Sequence, residues 1–362
     1  MGFSEFHGNR DVVDRLRGML ARDRFPHAVI LAGPAGAGKY TLAQMLAKAM
    51  NCLSPPPGDL PDFCGACRNC LRMAQADDLE ARCAEAVEAR EGLRETDRKE
   101  TRILVQTHPD VLIIPPDPPQ MMIKVDQVRH VIGTIYYLPA EARRRIYVFT
   151  AAAFMKEAAN SLLKVLEEPP EFATLFLLAE NPGALLPTIR SRCVTFTLAP
   201  LDAAEIECDL KQLRPEWKPA QRALVARLSD GAVGRARAFD VAAYTAARKD
   251  ALTLLSTAIR GGDHSDLFRT TETYRTGAEG RQKTGELLRA LYSVLEDLMF
   301  LKSNTPELVR NSDIARDLGE LSEAVDFAWI SAAAQRIAEV ESGMRRNLLR
   351  ALSLDAMVAG LE

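Results

Sequence analysis

Four short apolar runs punctuate the first 180 residues: HAVILAG (27–33), DVLIIP (110–115), RIYVFTA (145–151) and ATLFLLAE (173–180). The last three are rich in Val, Ile, Leu and Phe without polar alternation, the pattern of strands covered on both faces. CVTFTLAPL (193–201) adds a fifth. Between them lie stretches of helical periodicity, KYTLAQMLAKAMNC (39–52), VDQVRHVIGTIYYL (125–138) and MKEAANSLLKVLEE (155–168), the last stopped by Pro169 and Pro170. Strands alternating with helices predict a parallel α/β sheet over residues 1–199. After Pro200 the strand signal ends. DAAEIECDLKQL, PAQRALVARLSDG and AVGRARAFDVAAYTAARKDALTLLSTAI read as amphipathic helices, as does most of 280–361, and GGDHSD (261–266) interrupts them. The expected division is an α/β domain (1–199), a small helical domain (200–245) and an all-helical C-terminal domain (246–362). No internal repeat is visible.

A chain of 362 residues with 47% hydrophobic and 26% charged positions has material for two or three globular domains. Its net charge of −3 gives no overall basic signature, so contact with nucleic acid would need a local patch or a partner. The charged N-terminal stretch MGFSEFHGNRDVVDR has no apolar segment of a signal peptide, and no run approaches a membrane span, so a cytoplasmic location is expected. Residues 76–106 stand apart. Their nine acids and six bases are spaced like an exposed helical hairpin, with Asp78 and Arg82 four apart. A solvated surface element is the plain reading, an interaction arm the sharper one.

Four of the seven cysteines fall within 19 positions: Cys52, Cys64, Cys67 and Cys70. Two C-x-x-C steps sharing Cys67 let one tight turn present three sulfurs to one metal, and Cys52 completes a closed tetrahedral shell. In a reducing compartment this predicts structural zinc, with free or redox-active thiols as the alternative. Four thiolates leave no open position for catalysis.

GPAGAGKYT (33–41) follows the first strand run and opens a helix, the context of a phosphate-binding loop. Gly33, Gly36 and Gly38 let backbone N–H groups converge on phosphates, and Lys39 supplies charge. Tyr40 stands where Ser or Thr would offer magnesium its hydroxyl. Thr41 lies about 100° further round the helix. Past RIYVFT, where a second magnesium ligand is expected, the chain has Thr150, Ala151, Ala152 and Ala153. Both ligands are missing together. Magnesium and intrinsic ATPase activity are therefore not expected. Nucleotide bound without turnover, or a loop kept for strand–helix packing, remain open.

These features occur in order with THPDV (107–111), AANSLLKVLEEPP (158–170) and LLPTIRSRC (185–193). Together they resemble the bacterial clamp-loader branch of the AAA+ proteins. The likeness is specific over residues 3–245 and looser beyond, where NLLRALSLDAM (347–357) is similar to the family's final collar helix. FHGNRDVVDRL (6–16) resembles the segment bordering the adenine pocket. The resemblance implies an AAA+ core with an inserted zinc module (52–70), a helical lid (200–245) and a collar (246–362). It also implies an arginine finger at Arg192, supported by Ser191 and offered to a neighbouring subunit's ATP site. Arg235, then Arg237, matches the family's second sensor arginine. Glu180 and Asn181 depart from its first sensor, and the 76–106 insertion departs from its compact pattern.

The implied role is a subunit that donates a finger without hydrolysing ATP, partnered by gamma/tau-like ATPase subunits, a delta subunit, the sliding clamp and primer–template DNA. The rivals are a gamma/tau-like motor subunit, which an acidic pair after VFT would have favoured, and a zinc-bearing nucleic-acid module outside replication. The near-neutral charge and 6% aromatic content weigh against the latter.

Overall fold

The computed structural model describes residues 2–261, 264–275, 277–344 and 349–361. Gly262 and Asp263 of the expected helix break, and Asn347 and Leu348 of the collar-like stretch, lie outside the described residues. The chain forms two compact units, one of Met1–Asp202 with Gly231–Arg235, the other of Ala203–Asp230 with Ala236–Glu362.

In the first unit the elements run α1 (Arg10–Ala21), β1 (Ala28–Ala32), α2 (Lys39–Asn51), α3 (Arg68–Ala74), α4 (Leu79–Glu91), α5 (Glu95–Glu100), β2 (Val105–His108), β3 (Val111–Ile114), α6 (Val125–Ile135), β4 (Arg145–Phe149), α7 (Lys156–Glu167), β5 (Ala173–Ala179), α8 (Pro187–Arg190) and β6 (Val194–Thr197). One sheet of order β2-β3-β4-β5-β1-β6 results, parallel throughout except for β2. Alternate residues of β1 feed two cores, as strand geometry requires. Val29 and Leu31 join Leu42, Leu46 and Phe176 on one face. Ala28, Ile30 and Ala32 join Val131, Leu162 and Phe149 on the other.

All five strand runs form strands. The sixth, β2, pairs antiparallel at the sheet edge with Val105 and His108 buried and Gln106 exposed. The charged stretch before it concealed that short, irregular strand. Within the insertion, α4 buries none of its residues, as a solvated hairpin should. Asp78 does not pair with Arg82. Its carboxylate caps α4 by accepting from Ala81 N–H, and Arg82 pairs with Glu85 at 2.8 Å.

The second unit is helical: α9 (Ala203–Leu213), α10 (Pro219–Leu228), α12 (Val241–Arg260), α13 (Ser265–Glu272), α14 (Gly277–Lys302), α15 (Ala315–Ala324), α16 (Phe327–Met344) and α17 (Arg350–Ala359), with α11 (Val233–Arg237) running into it from the first unit. The periodic stretch 232–259 is broken at 238–240, because Asp240 caps α12 by accepting from Ala243 N–H. Leu254, Leu255, Leu291, Leu295 and Ile337 fill the core. A buried polar network stitches it, with Arg248 fork-bonded to Asp313 at 2.7 and 2.6 Å and the Asn311 side-chain oxygen accepting from Arg248 and Tyr244.

Asp110 sets the loop leading into β4. Its buried carboxylate accepts from the N–H groups of Ala140, Glu141 and Ala142 at 2.8, 2.8 and 2.9 Å. Burial pushes its pKa up, but these three donors outweigh burial and hold it below the ordinary carboxylate value. Burial likewise lowers the pKa of His108, whose Nδ1 accepts from Asp110 N–H. Both folded values lie below the unfolded ones. The stabilisation is therefore complete above them and lost as pH falls, from about 6.5 downward for His108 and below about 3.9 for Asp110. Asp110→Asn should cost about 1–3 kcal/mol at neutral pH. Thermal melts should show the wild type losing stability more steeply below pH 4 than the Asn variant.

Candidate functional site

The loop 33–38 joins β1 to α2 with Gly33 and Gly36 at φ +144° and +80°. Neither tolerates a side chain: a Cβ on Gly33 would sit 2.6 Å from the Leu198 carbonyl oxygen, and one on Gly36 2.9 Å from the Arg235 nitrogen. Gly38 precedes the first turn of α2. Lys39 reaches back along the loop and donates to the carbonyls of Gly33 and Pro34 at 2.6 and 2.7 Å. Its pKa is lowered by burial and pulled partly back by the Glu180 carboxylate. The loop thus satisfies its own lysine.

Tyr40 is committed elsewhere. Its hydroxyl donates to the Ala76 carbonyl at 2.5 Å and accepts from Gln44 Nε2 at 2.9 Å. Burial pushes the phenol above its ordinary pKa, so it stays a donor. Gln44, Lys48 and Asn51 continue the same face of α2. Lys48 donates to both oxygens of Asp77 at 2.7 and 2.6 Å, and the Asn51 carbonyl accepts from Asn69 at 3.0 Å. This polar stripe fastens the cysteine-bearing segment to the helix. The spacing 40, 44, 48, 51 was visible in sequence, but its partners Ala76 and Asp77 lay in a stretch read as surface.

At the C-terminal end of α2 the sulfurs of Cys52, Cys64, Cys67 and Cys70 lie within 4.8 Å of one another. Cys52 Sγ is 3.5 Å from that of Cys64 and 4.0 Å from that of Cys67. A tetrahedron with metal–sulfur bonds near 2.3 Å has edges of about 3.8 Å, so four thiolates fit one ion. The N–H groups of Ala66 and Cys67 point at Cys64 Sγ at 3.4 and 3.2 Å and lower its pKa, which favours the metal-binding form. The cluster can hold a metal ion. Cys193 is packed away, and burial pushes its thiol up to about 12.

No carboxylate stands where the second magnesium ligand would. Phe149 and Ile30 are both level with Leu177 of the intervening β5, so Thr150 and Ala151 continue level with Leu31 and Ala32 at the loop end of the sheet. Beyond β5, Glu180 is exposed and the Asn181 side chain caps the next turn by accepting from Gly183 N–H.

Arg192 and Ser191 occupy the other end of the sheet. Val194 pairs with Val29, so Arg192 is level with His27, six residues short of Gly33 on a parallel strand. At about 3.3 Å per residue the separation is roughly 20 Å, beyond an arginine's reach. Arg192 donates to the Thr188 carbonyl at 2.9 Å, to Ser191 Oγ at 3.5 Å and to Glu167 Oε1 at 2.6 Å. Sequence reading missed Glu167. Arg235 lies against the phosphate loop: its Cγ would be 2.8 Å from a Cβ on Gly36, and Gly234 N–H donates to the Gly36 carbonyl at 2.9 Å. Arg237 points away, fork-bonded to Asp209 at 2.8 and 2.7 Å.

A glycine loop after β1, with β1 between β5 and β6 in a parallel sheet and a helical unit following, defines a P-loop protein of AAA+ type. The family described as DNA polymerase III, delta subunit, matches residues 8–202, and the chain belongs to it. DNA polymerase III subunit delta' of Pseudomonas aeruginosa is 32% identical over 212 residues, 58% of this chain and 54% of that one. The delta' subunit of Bacillus subtilis is 30% identical over 220 residues, and subunit tau of Escherichia coli 28% over 266 residues. The chain spans about half the length of the delta' relatives and a third of tau. A solved Thermotoga maritima gamma subunit-related protein has 18% identity and a TM-score of 0.43, covering 97% of this chain and 98% of that one.

Tyr40→Phe removes the hydroxyl from Ala76 and Gln44 and should cost about 1–3 kcal/mol, read from the denaturant midpoint. Tyr40→Thr restores the hydroxyl of the phosphate-loop pattern but leaves β4 without its acid. It should show no magnesium-dependent ATP turnover above the wild-type chain.

Proposed function

We propose that the chain is the non-hydrolysing, delta-prime-type subunit of a DNA polymerase III clamp loader, donating Arg192 in trans to the ATP site of a neighbouring ATPase subunit. One observation carries this reading: Arg192 sits at the opposite end of the sheet from a phosphate loop that lacks both magnesium ligands. A guanidinium so placed cannot serve its own loop. Against a neighbour's γ-phosphate it would stabilise charge developing in the transition state. Ser191 supports the finger through its hydrogen bonds to Thr188 and Arg192.

The degenerate loop of Gly33, Gly36, Gly38, Lys39, Tyr40 and Arg235 would act as packing. Lys39 bonded to its own loop supports that over nucleotide binding. Residues 1–199 would form the AAA+ domain, 200–245 the lid and 246–362 the collar. Partners would be the gamma/tau-like ATPase subunits and the delta subunit, with clamp and primer–template DNA reached through the complex in the cytoplasm. Among the described residues no helix is long and apolar enough to cross a membrane.

The motor reading, a gamma/tau-like subunit, draws on the longer match to tau, 72% of this chain against 58% for delta'. A loader reconstituted with this chain separates the two. Arg192→Ala should lower clamp- and DNA-stimulated turnover at the adjoining site by about 10³-fold or more while assembly persists. Lys39→Ala should leave it unchanged. The reverse pattern makes the chain a motor.

The metal would be zinc, held by Cys52, Cys64, Cys67 and Cys70. Metal analysis should find one zinc per chain, lost in Cys64→Ser. Its removal by chelator should sharply lower the melting temperature, since such sites contribute on the order of 10 kcal/mol to folding.

A further inference from the structure

We infer that Glu167 is the positioning residue for Arg192, an inference that rests on the finger reading above. Glu167 ends α7, whose other face is anchored by the buried Ala158, Ala159, Leu162, Val165 and Leu166. An acid in the last turn opposes the helix dipole, so Glu167 does not stabilise its own helix. Its carboxylate instead accepts from Arg192 Nη2 at 2.6 Å. Both side chains are partly exposed, 35% for Arg192 and 50% for Glu167, and an ion pair so placed adds little to folding. What it fixes is direction.

A guanidinium has five N–H donors in one plane. Nη1 serves Thr188 and Ser191, and one N–H of Nη2 serves Glu167. Among the described residues no hydrogen bond is made by Nε–H or by the second Nη2–H. Such donors are the ones a guanidinium can still offer to phosphate oxygens. Glu167 and Thr188 hold Nη2 and Nη1 from two sides, which fixes the guanidinium plane while Arg192 stays partly exposed. An arginine otherwise free to rotate about its long side chain would meet a phosphate only after that freedom was lost.

The test uses the complete loader with its ATPase subunits, primed DNA and sliding clamp, comparing Glu167→Ala, Glu167→Gln and Arg192→Ala. Gln keeps an oxygen acceptor where Oε1 stands. Glu167→Ala should lower kcat for ATP about tenfold with KM, assembly and melting temperature unchanged, and Gln should restore most of the loss. Adding Glu167→Ala to Arg192→Ala should cost nothing more. If Glu167→Ala is silent or raises kcat while Arg192→Ala abolishes stimulation, Glu167 does not position the finger and the finger reading stands. A silent Arg192→Ala overturns the finger reading and this inference with it.

Discussion

Everything around the phosphate loop depends on one constraint: helix α2 is buried on all sides from Leu42 to Asn51. On a helix with no wet face, each polar group is costly unless it finds a partner. Gln44, Lys48 and Asn51 are 2%, 5% and 1% exposed, and Tyr40 extends their stripe toward the loop. Tyr40 and Lys48 bond to Ala76 and Asp77 just beyond the cysteine cluster, Gln44 bonds to Tyr40, and the Asn51 side chain bonds to the backbone of Arg144. The buried Lys48 ammonium needs the Asp77 carboxylate, and that pair ties the insertion to the domain. The same helix runs from the glycine loop to Cys52, about 20 Å away, and links the cysteine cluster to the loop.

That link accounts for Tyr40. At this position a Thr would face a magnesium ion, whereas the tyrosine ring spans the gap to Ala76 and gives up the metal. The glycines survive for a separate reason, since Leu198 and Arg235 approach too closely for a side chain. Loss of the phosphate-loop hydroxyl and retention of the glycines thus have different physical causes. The first follows from what the helix must hold, the second from how closely neighbouring backbone packs.

Much of this was legible in the sequence. Strands buried on both faces read as continuous apolar runs, and the cysteine spacing forced three sulfurs into one turn. The edge strand β2 did not read, because only Val105 and His108 face inward and six acids and bases crowd the residues just before it. The pairing of Glu167 with Arg192 bridges 25 positions and leaves no periodic trace. Tyr40 was visible as a departure, but its hydrogen bond was not, since Ala76 has no side-chain polarity to announce itself. Sequence shows which group is missing from a site more readily than what the substitute now holds.

The parallel pairing of β1 with β6 has one more consequence. With the loop at one end of the sheet and Arg192 at the other, the molecule has a front and a back that are not copies of each other. A contact that joins the front of one such molecule to the back of the next is head-to-tail and not related by a twofold axis. An assembly using such contacts is therefore a row with a direction. On the reading proposed above, such a row would let the chain offer Arg192 forward to the next member, which would suit it to the head of a line rather than its middle.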